Sequence, residues 1–354
     1  MGRDFSHYWT AASLALSGEP AEVYDFPRLK AAGEPIFGPG TALPWLYPPT
    51  FLLIILPLAL LPYLVALALW IIPALIGYLW ILRRLAPHPL TLWLTLSFPG
   101  TYQNILFGQN GFLSAILLGG GILLLERFPL AAGVLLGLLS YKPHLMVLVV
   151  LALAAGRYWR ALLSTVCVTA ALAAASVLVL GTGVWIAFLN STPESVKALQ
   201  AGLLPWSKAP LHLFNMPTVF CALLEAGARP STARIMQGAV MLGVAVVLGW
   251  AWFRRAPLAI RGSLLVIGIL LFTPYAAIYD LVLMALPLAW LSWDGHTRGW
   301  LRGEPPLLLL AWLIPVVAPI LALATNLQLA PLILILLAML ALRRWFKLSP
   351  ADIR

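Results

Sequence analysis

From Tyr63 to Arg343 the chain is a succession of apolar runs, and this pattern constrains its fold more than any other feature. The runs occupy approximately 63–83, 90–107, 110–126, 129–141, 144–156, 160–181, 230–253, 258–275, 277–293, 305–322 and 328–343. In hydrocarbon every backbone N–H and C=O must find a partner inside a helix or a closed barrel. The runs do not alternate over short strands as a barrel requires, so they predict helices. Hydrophobic residues make up 62% of the chain and charged residues 10%, against about 25% charged in a soluble domain. The reading is an all-α polytopic membrane protein with about eleven membrane helices. Several runs fall short of the ~20 residues of a full span. The shortest pair, 129–141 and 144–156, predicts tilt, re-entrance or packing against longer neighbours.

Charge orients the helices. The net charge of +10 does not point to nucleic acid, because the basic residues stand in pairs at run ends. Arg83-Arg84, Arg127, Arg157 with Arg160, Arg254-Arg255 with Arg261, Arg298 with Arg302, and Arg343-Arg344-Lys347 can all share one face. By the positive-inside rule that face is cytoplasmic. The other face of this plasma-membrane protein then holds residues 1–62, Gly108-Gln109-Asn110, Lys142-Pro143-His144, the 182–229 loop, Pro274–Asp280 and Asn326. Residues 63–347 form the bundle and 348–354 a cytoplasmic tail. Within the first external segment, Thr50–Leu61 is apolar but too short to span, and reads as a half-buried surface helix. The second external segment, 182–229, carries Trp185, Asn190, Glu194, Lys197, Trp206, Lys208 and His212. Its 208–227 part predicts an amphipathic surface helix. The opening residues contain no apolar core of a signal peptide, so a membrane helix is expected upstream of Met1.

Acidic residues are scarce, twelve in all, and five of them (Asp4, Glu19, Glu22, Asp25 and Glu34) lie in the opening segment. If residues 4–17 are helical, Asp4, His7 and Tyr8 share a face at i, i+3, i+4 spacing. A carboxylate beside aromatic rings suits general-base work on a sugar hydroxyl. The same residues also read as a helix cap followed by interfacial aromatics, Tyr8 and Trp9. Tyr47-Pro48-Pro49 closes the segment with a stiff turn. Gln109 and Asn110, flanked by glycines, form a tight turn exposing carboxamide donors, or a capped helical hairpin. Lys142, with His144 beside it, stands between two apolar runs; it either snorkels or meets a phosphate. Asp280 opens an apolar run behind Tyr279, as a cap or as a functional carboxylate. Independent snorkelling residues have no need to agree on a side, yet all of these fall on the same one. Cys167 and Cys221 form no CxxC, and no His, Asp or Glu cluster has ligand spacing, so neither metal nor cofactor is expected.

These motifs, in order, resemble glycosyltransferase family 87. The match runs through Asp4-Phe5, Tyr8-Trp9, Ala11-Ala12, Gly18, Pro20, Tyr24-Asp25, Tyr47-Pro48-Pro49 and Pro57-Leu58-Ala59-Leu60-Leu61-Pro62. It continues through Gly108-Gln109-Asn110, Ala132-Gly133 to Gly137, and Lys142-Pro143, strongest over 4–160 and weakest after 300. The resemblance implies a GT-C bundle of about a dozen membrane helices with an extracytoplasmic active site. It implies a polyprenyl-phosphate sugar donor, an aspartate base in the first external loop, and a membrane helix before that loop. Asp4 matches the aspartate. Where family members often carry a histidine in a late proline-containing motif, this chain has Tyr279-Asp280.

The expected function is transfer of a hexose, mannose by the resemblance, from that donor to a lipid or glycan acceptor. Asp4 would be the base, and Lys142, Gln109 and His144 would receive the donor phosphate. His7, Tyr8, Trp9, Tyr47, Asn110, Tyr279 and Asp280 would shape the sugar and acceptor pocket. A transporter or flippase is the competing class. It predicts internal repeats and midplane charges, and the sequence has no clear repeat. A non-catalytic scaffold would not need carboxylate, amide and lysine on the same side.

Overall fold

The architecture comes from a computed structural model, which describes residues 2–38, 44–200 and 213–348, the side chains of 194–200 and 348 excepted. Among the described residues there is helix and turn but no strand. The opening segment folds as α1 (Arg3–Leu16), a 3-10 turn (Pro20–Tyr24) and α2 (Phe26–Phe37). Asp25 caps α2, its carboxylate accepting the Arg28 N–H, and Pro27 suits the first turn, where a backbone donor is not needed. After Pro48 comes α3 (Pro49–Ile55), which runs into a 3-10 turn (Leu56–Leu60) where Pro57 removes a helical donor.

The apolar runs become helices at nearly the expected bounds. They are α4 (Tyr63–Leu85), α5 (Leu90–Leu96), α6 (Pro99–Phe107), α7 (Gly111–Leu124), α8 (Pro129–Leu138), α9 (Pro143–Ala155) and α10 (Trp159–Leu180). Then follow α11 (Thr182–Gln200), α12 (Val219–Glu225), α13 (Pro230–Phe253), α14 (Leu258–Phe272), α15 (Ala285–Arg298), α16 (Glu304–Thr325) and α17 (Ala330–Leu348). Of these, α4, α10, α13 and α16 are long and apolar enough to cross a membrane by length and composition, and α7, α8, α9 and α14 are shorter apolar helices. The α4 surface shows the solvent it is built for. It exposes Leu64, Val65, Leu69, Ile72, Ile76 and Trp80 while burying Ala66, Leu67, Tyr78 and Ile81. Such a stripe is an aggregation surface in water and costs nothing against lipid tails.

Three segments differ from the sequence reading. The 90–107 run is two helices, because Phe98 precedes Pro99 and takes an extended conformation (ψ 124°). The 277–293 run begins as a 3-10 turn (Ile278–Met284) before α15. The 182–229 stretch opens with the nineteen-residue α11. Trp185 of α11 donates to Ser176 Oγ (2.9 Å), and Phe188 packs on Tyr24 (5.6 Å between ring centres), which ties α11 to the opening segment. The described part of 208–227 is a 3-10 turn at Leu213–Asn215 and α12. Trp206, Lys208, His212 and the tail beyond Leu348 lie outside the described residues, as do the side chains of Glu194 and Lys197.

Close packing replaces hydrophobic drive between helices in lipid. α8 lies along α10 at a distance only small residues permit: a Cβ on Gly133 would run into the Ala161 carbonyl. Hydroxyls of α10 cross the same seam, Ser164 to the Leu130 carbonyl (2.9 Å) and Thr165 to that of Gly133 (3.2 Å). Inside α16, Pro319 has no N–H for the Pro315 carbonyl, and Gln103 of α6 supplies one at 2.7 Å.

Helix direction puts two polar regions at opposite ends. α4 starts at Tyr63 and ends at Arg83-Arg84, α7 runs from Gly111 toward Glu126, and α14 runs from Arg261 toward Thr273. At one end, buried Arg344 pairs with Glu304 (2.6 Å) and Asp294 (2.8 Å), and Arg261 pairs with Glu126. At the other end lie Tyr63, Gly111 and Thr273, and with them the cluster described next.

Candidate active site

α1 begins against the turn between α6 and α7. The Gly2 N–H donates to the Leu106 carbonyl (2.8 Å), and the Tyr63 hydroxyl donates to that of Gly2 (2.8 Å). Gly108 makes the approach possible. Its φ is 69°, and a Cβ there would sit 2.7 Å from Phe5 Cβ, so only glycine fits. Gly2, not Asp4, is the N-cap of α1, and no side chain caps it. Asp4 stands in the first turn of α1, half-buried, and its Oδ2 accepts from Gln109 Nε2.

Gln109 is bonded on both sides. Its Oε1 accepts the Tyr8 hydroxyl at 2.6 Å, which orients the carboxamide so that its N–H faces Asp4. The Tyr8 and Tyr47 hydroxyls are 2.9 Å apart, and Asn110 Nδ2 donates to Tyr47 at 3.0 Å. Tyr24 fixes the loop by donating to the Tyr47 carbonyl (2.8 Å). Asn110 Oδ1 is buried with no hydrogen-bond partner. Tyr8, Tyr47 and Phe51 pack edge and face, with Phe51 stacked on Tyr141 at 5.1 Å, so the network has aromatic walls.

A second carboxylate sits nearby in a different setting. Lys142 Nζ is 2.7 Å from Asp280 Oδ1, and both side chains are buried. Asp280 Oδ2 accepts the Ala277 N–H (3.0 Å), so both oxygens are engaged. Tyr47 feels the charge of both Lys142 and Asp280, and Tyr279 lies against Gln109 within electrostatic reach of Asp4 and Asp280. His144 is half-buried beside the same ion pair. One network therefore joins Asp4, Gln109, Tyr8, Tyr47, Asn110, Tyr279, Lys142 and Asp280, drawn from α1, the segment before α3, the α6–α7 turn, the segment before α9, and the turn after α14.

The two carboxylates differ in their partners. Burial raises the pKa of Asp4 above the ordinary carboxylate value, partly offset by the Gln109 hydrogen bond and the positive charge of Arg3. A lysine ammonium and a backbone N–H occupy Asp280.

Other expected residues lie elsewhere. Trp9 turns away, its indole donating to the Leu61 carbonyl (3.1 Å) and its ring packing on Phe37 and Tyr63. His7 is buried on α1. The site also holds residues to which the sequence reading gave no role. Asn104 bridges the α6–α7 turn to the Tyr279 segment, and Tyr141 pairs with Ser114 at 2.8 Å. Asn104 is a polar residue inside an apolar run, and this was the available signal.

The model of a family described as glycosyltransferase family 87 matches residues 45–274, well over half of the chain. Tyr47, Gln109, Asn110, Lys142 and His144 lie within the match; Asp4, Tyr8, Tyr279 and Asp280 lie outside it. No curated protein and no solved structure gives a match.

Proposed function

The chain belongs to glycosyltransferase family 87, and we propose that it transfers a hexose, mannose, from a polyprenyl-phosphate donor to an extracytoplasmic lipid or glycan acceptor. The observation that carries this reading is the pairing of a half-buried carboxylate of raised proton affinity with a buried lysine in one network. Asp4 takes the proton of an acceptor hydroxyl as the oxygen attacks the anomeric carbon. The bond from that carbon to the phosphate oxygen breaks on the opposite face, and configuration inverts. The proton ends on Asp4 and the electron pair on the lipid phosphate, which leaves as a stable anion without a general acid.

Lys142 meets that anion. An ammonium has three N–H donors, and Asp280 uses one, so two remain for phosphate oxygens. Asp280 then acts as the counter-ion that holds Lys142 inside the protein, and His144 stands beside the pair as a further polar contact. Gln109 serves Asp4 in this geometry and not the phosphate. Tyr8, Tyr47 and Tyr279 line the sugar, and the unpaired Asn110 Oδ1 accepts a sugar hydroxyl. Burial makes each of these dipoles more effective on developing charge.

The test is transfer from radiolabelled polyprenyl-phosphate mannose to extracted cell-envelope lipids and glycans by the purified chain in lipid. Mannose transfer dependent on Asp4 is expected. Transfer from a nucleotide sugar in place of the lipid donor, or transfer by Asp4→Asn at the wild-type rate, overturns the reading.

A further inference from the structure

Resting on Asp4 as the base, we infer that Asn104 is a positioning residue that fixes the base against the phosphate-binding half of the site. It is fully buried in α6, where an unpaired carboxamide is costly, and every polar group it has is used. Nδ2 donates to the Tyr279 carbonyl (2.8 Å) and to the Gly100 carbonyl (3.2 Å). Oδ1 accepts the Gly111 N–H (3.0 Å). Its main-chain carbonyl accepts the N–H groups of Gly108 (2.9 Å) and Gln109 (3.1 Å).

The bond to Gly100 is ordinary back-bonding within a helix and the main-chain bonds close the C-terminus of α6, while the side-chain bonds to the Tyr279 carbonyl and the Gly111 N–H cross between elements. Gln109, at one end, holds Asp4. Tyr279, at the other, is followed by Asp280, which holds Lys142. Asn104 is thus a single side chain tied to the two segments that hold the charges of the reaction, the α6–α7 turn against Asp4 and the Tyr279–Asp280 segment against Lys142. Inverting displacement needs base, nucleophile, anomeric carbon and leaving phosphate in line, and a misplacement of about 1 Å costs ~100-fold. The carboxamide holds that spacing without touching substrate.

The test compares Asn104→Ala, Asn104→Asp and Asn104→Ser of the full chain in lipid, with thermal unfolding measured alongside. Asp keeps the acceptor facing Gly111 and sets an oxygen against the Tyr279 carbonyl; Ser is the milder variant should the others unfold. Folded variants should lose about 10–100-fold in kcat, with a smaller change in donor KM. The acid limb of the pH profile should move up, as in Gln109→Ala, and the double variant Asn104→Ala/Gln109→Ala should lose little more than either alone. A second readout needs no turnover: carbodiimide labelling of protonated Asp4 against pH, located by mass spectrometry, should persist to higher pH in folded Asn104 variants. An unmoved labelling midpoint, or losses that multiply in the double variant, overturns the inference. An inactive wild type in which the labelling midpoint still responds to Asn104 overturns the transfer reading and leaves the positioning role standing.

Discussion

Gln109 donates its side-chain amide to the Asp4 carboxylate across 105 positions of sequence, while the Tyr8 hydroxyl fixes the other end of the same amide. That hydrogen bond lowers the proton affinity that burial has raised. Gln109→Ala removes it, so the pKa of Asp4 rises and the fraction ionised at a given pH falls. The acid limb of kcat/KM should move to higher pH, and kcat should fall ~10–100-fold through lost orientation. A pH–rate profile checks both. An acid limb that stays in place or moves down rules out the contact as a tuner of the base.

Asp4→Asn should abolish transfer without destabilising the protein. The sign follows from linkage. The folded pKa of Asp4 lies above the ordinary value, so between the two the folded state binds more protons than the unfolded one, and stability falls as pH rises through that window. At neutral pH the ionised carboxylate is a net cost, which an amide of the same shape avoids. The unfolding temperature of Asp4→Asn at pH 7 should equal or exceed that of the wild type, and the difference should shrink toward the ordinary carboxylate pKa. A variant that melts earlier at pH 7 contradicts the assignment.

The helices could be read in the sequence because lipid imposes a strong signal: apolar runs bounded by proline, glycine and paired arginines. What failed was local. Pro99 split one run, and the turn before α15 tightened where Asp280 bonds back to the Ala277 N–H. At the site, Asp4, Tyr8, Tyr47, Gln109, Asn110, Lys142, Tyr279 and Asp280 were named, and the structure gathers them. Their partnerships were not readable. Lys142 meets Asp280 across 138 positions, and no spacing rule reaches so far. Trp9 shares a helix with Tyr8 but sits about 100° further round it, which sends its indole to Leu61. The role of Asn104 was not readable because a polar residue beside Gln103 in an apolar run announces a partner without saying which.

Breaking the buried Lys142–Asp280 pair on one side should cost more than removing it from both. Lys142→Met leaves Asp280 as an uncompensated buried charge, and Asp280→Asn does the same to Lys142, at about 3–5 kcal/mol each. The double variant strands neither charge and should recover much of the loss. Function should not follow stability: with no ammonium for the phosphate, the double variant should still bind donor poorly. Thermal unfolding and donor-binding measurements on the three variants separate the effects. A double variant with wild-type donor affinity excludes Lys142 as the phosphate ligand.

Gly108→Ala should damage catalysis more than stability, and a matched glycine shows why. Gly108 (φ 69°, ψ 34°) and Gly303 (φ 81°, ψ 0°) both sit in the left-handed region that disfavours a side chain, but a Cβ at Gly303 meets nothing within 4 Å. Gly303→Ala therefore carries the backbone penalty alone, about 1 kcal/mol. At Gly108 the new methyl also presses 2.7 Å from Phe5 Cβ and 3.2 Å from Gly2 Cα. The first turn of α1 must yield, and Asp4 moves away from Gln109. Transfer by Gly108→Ala should fall ~100-fold or more while Gly303→Ala stays near wild type, since a shift of about 1 Å suffices for such a loss. Equal activity in the two variants, both folded, shows that the contact of α1 with the α6–α7 turn does not set the position of the base.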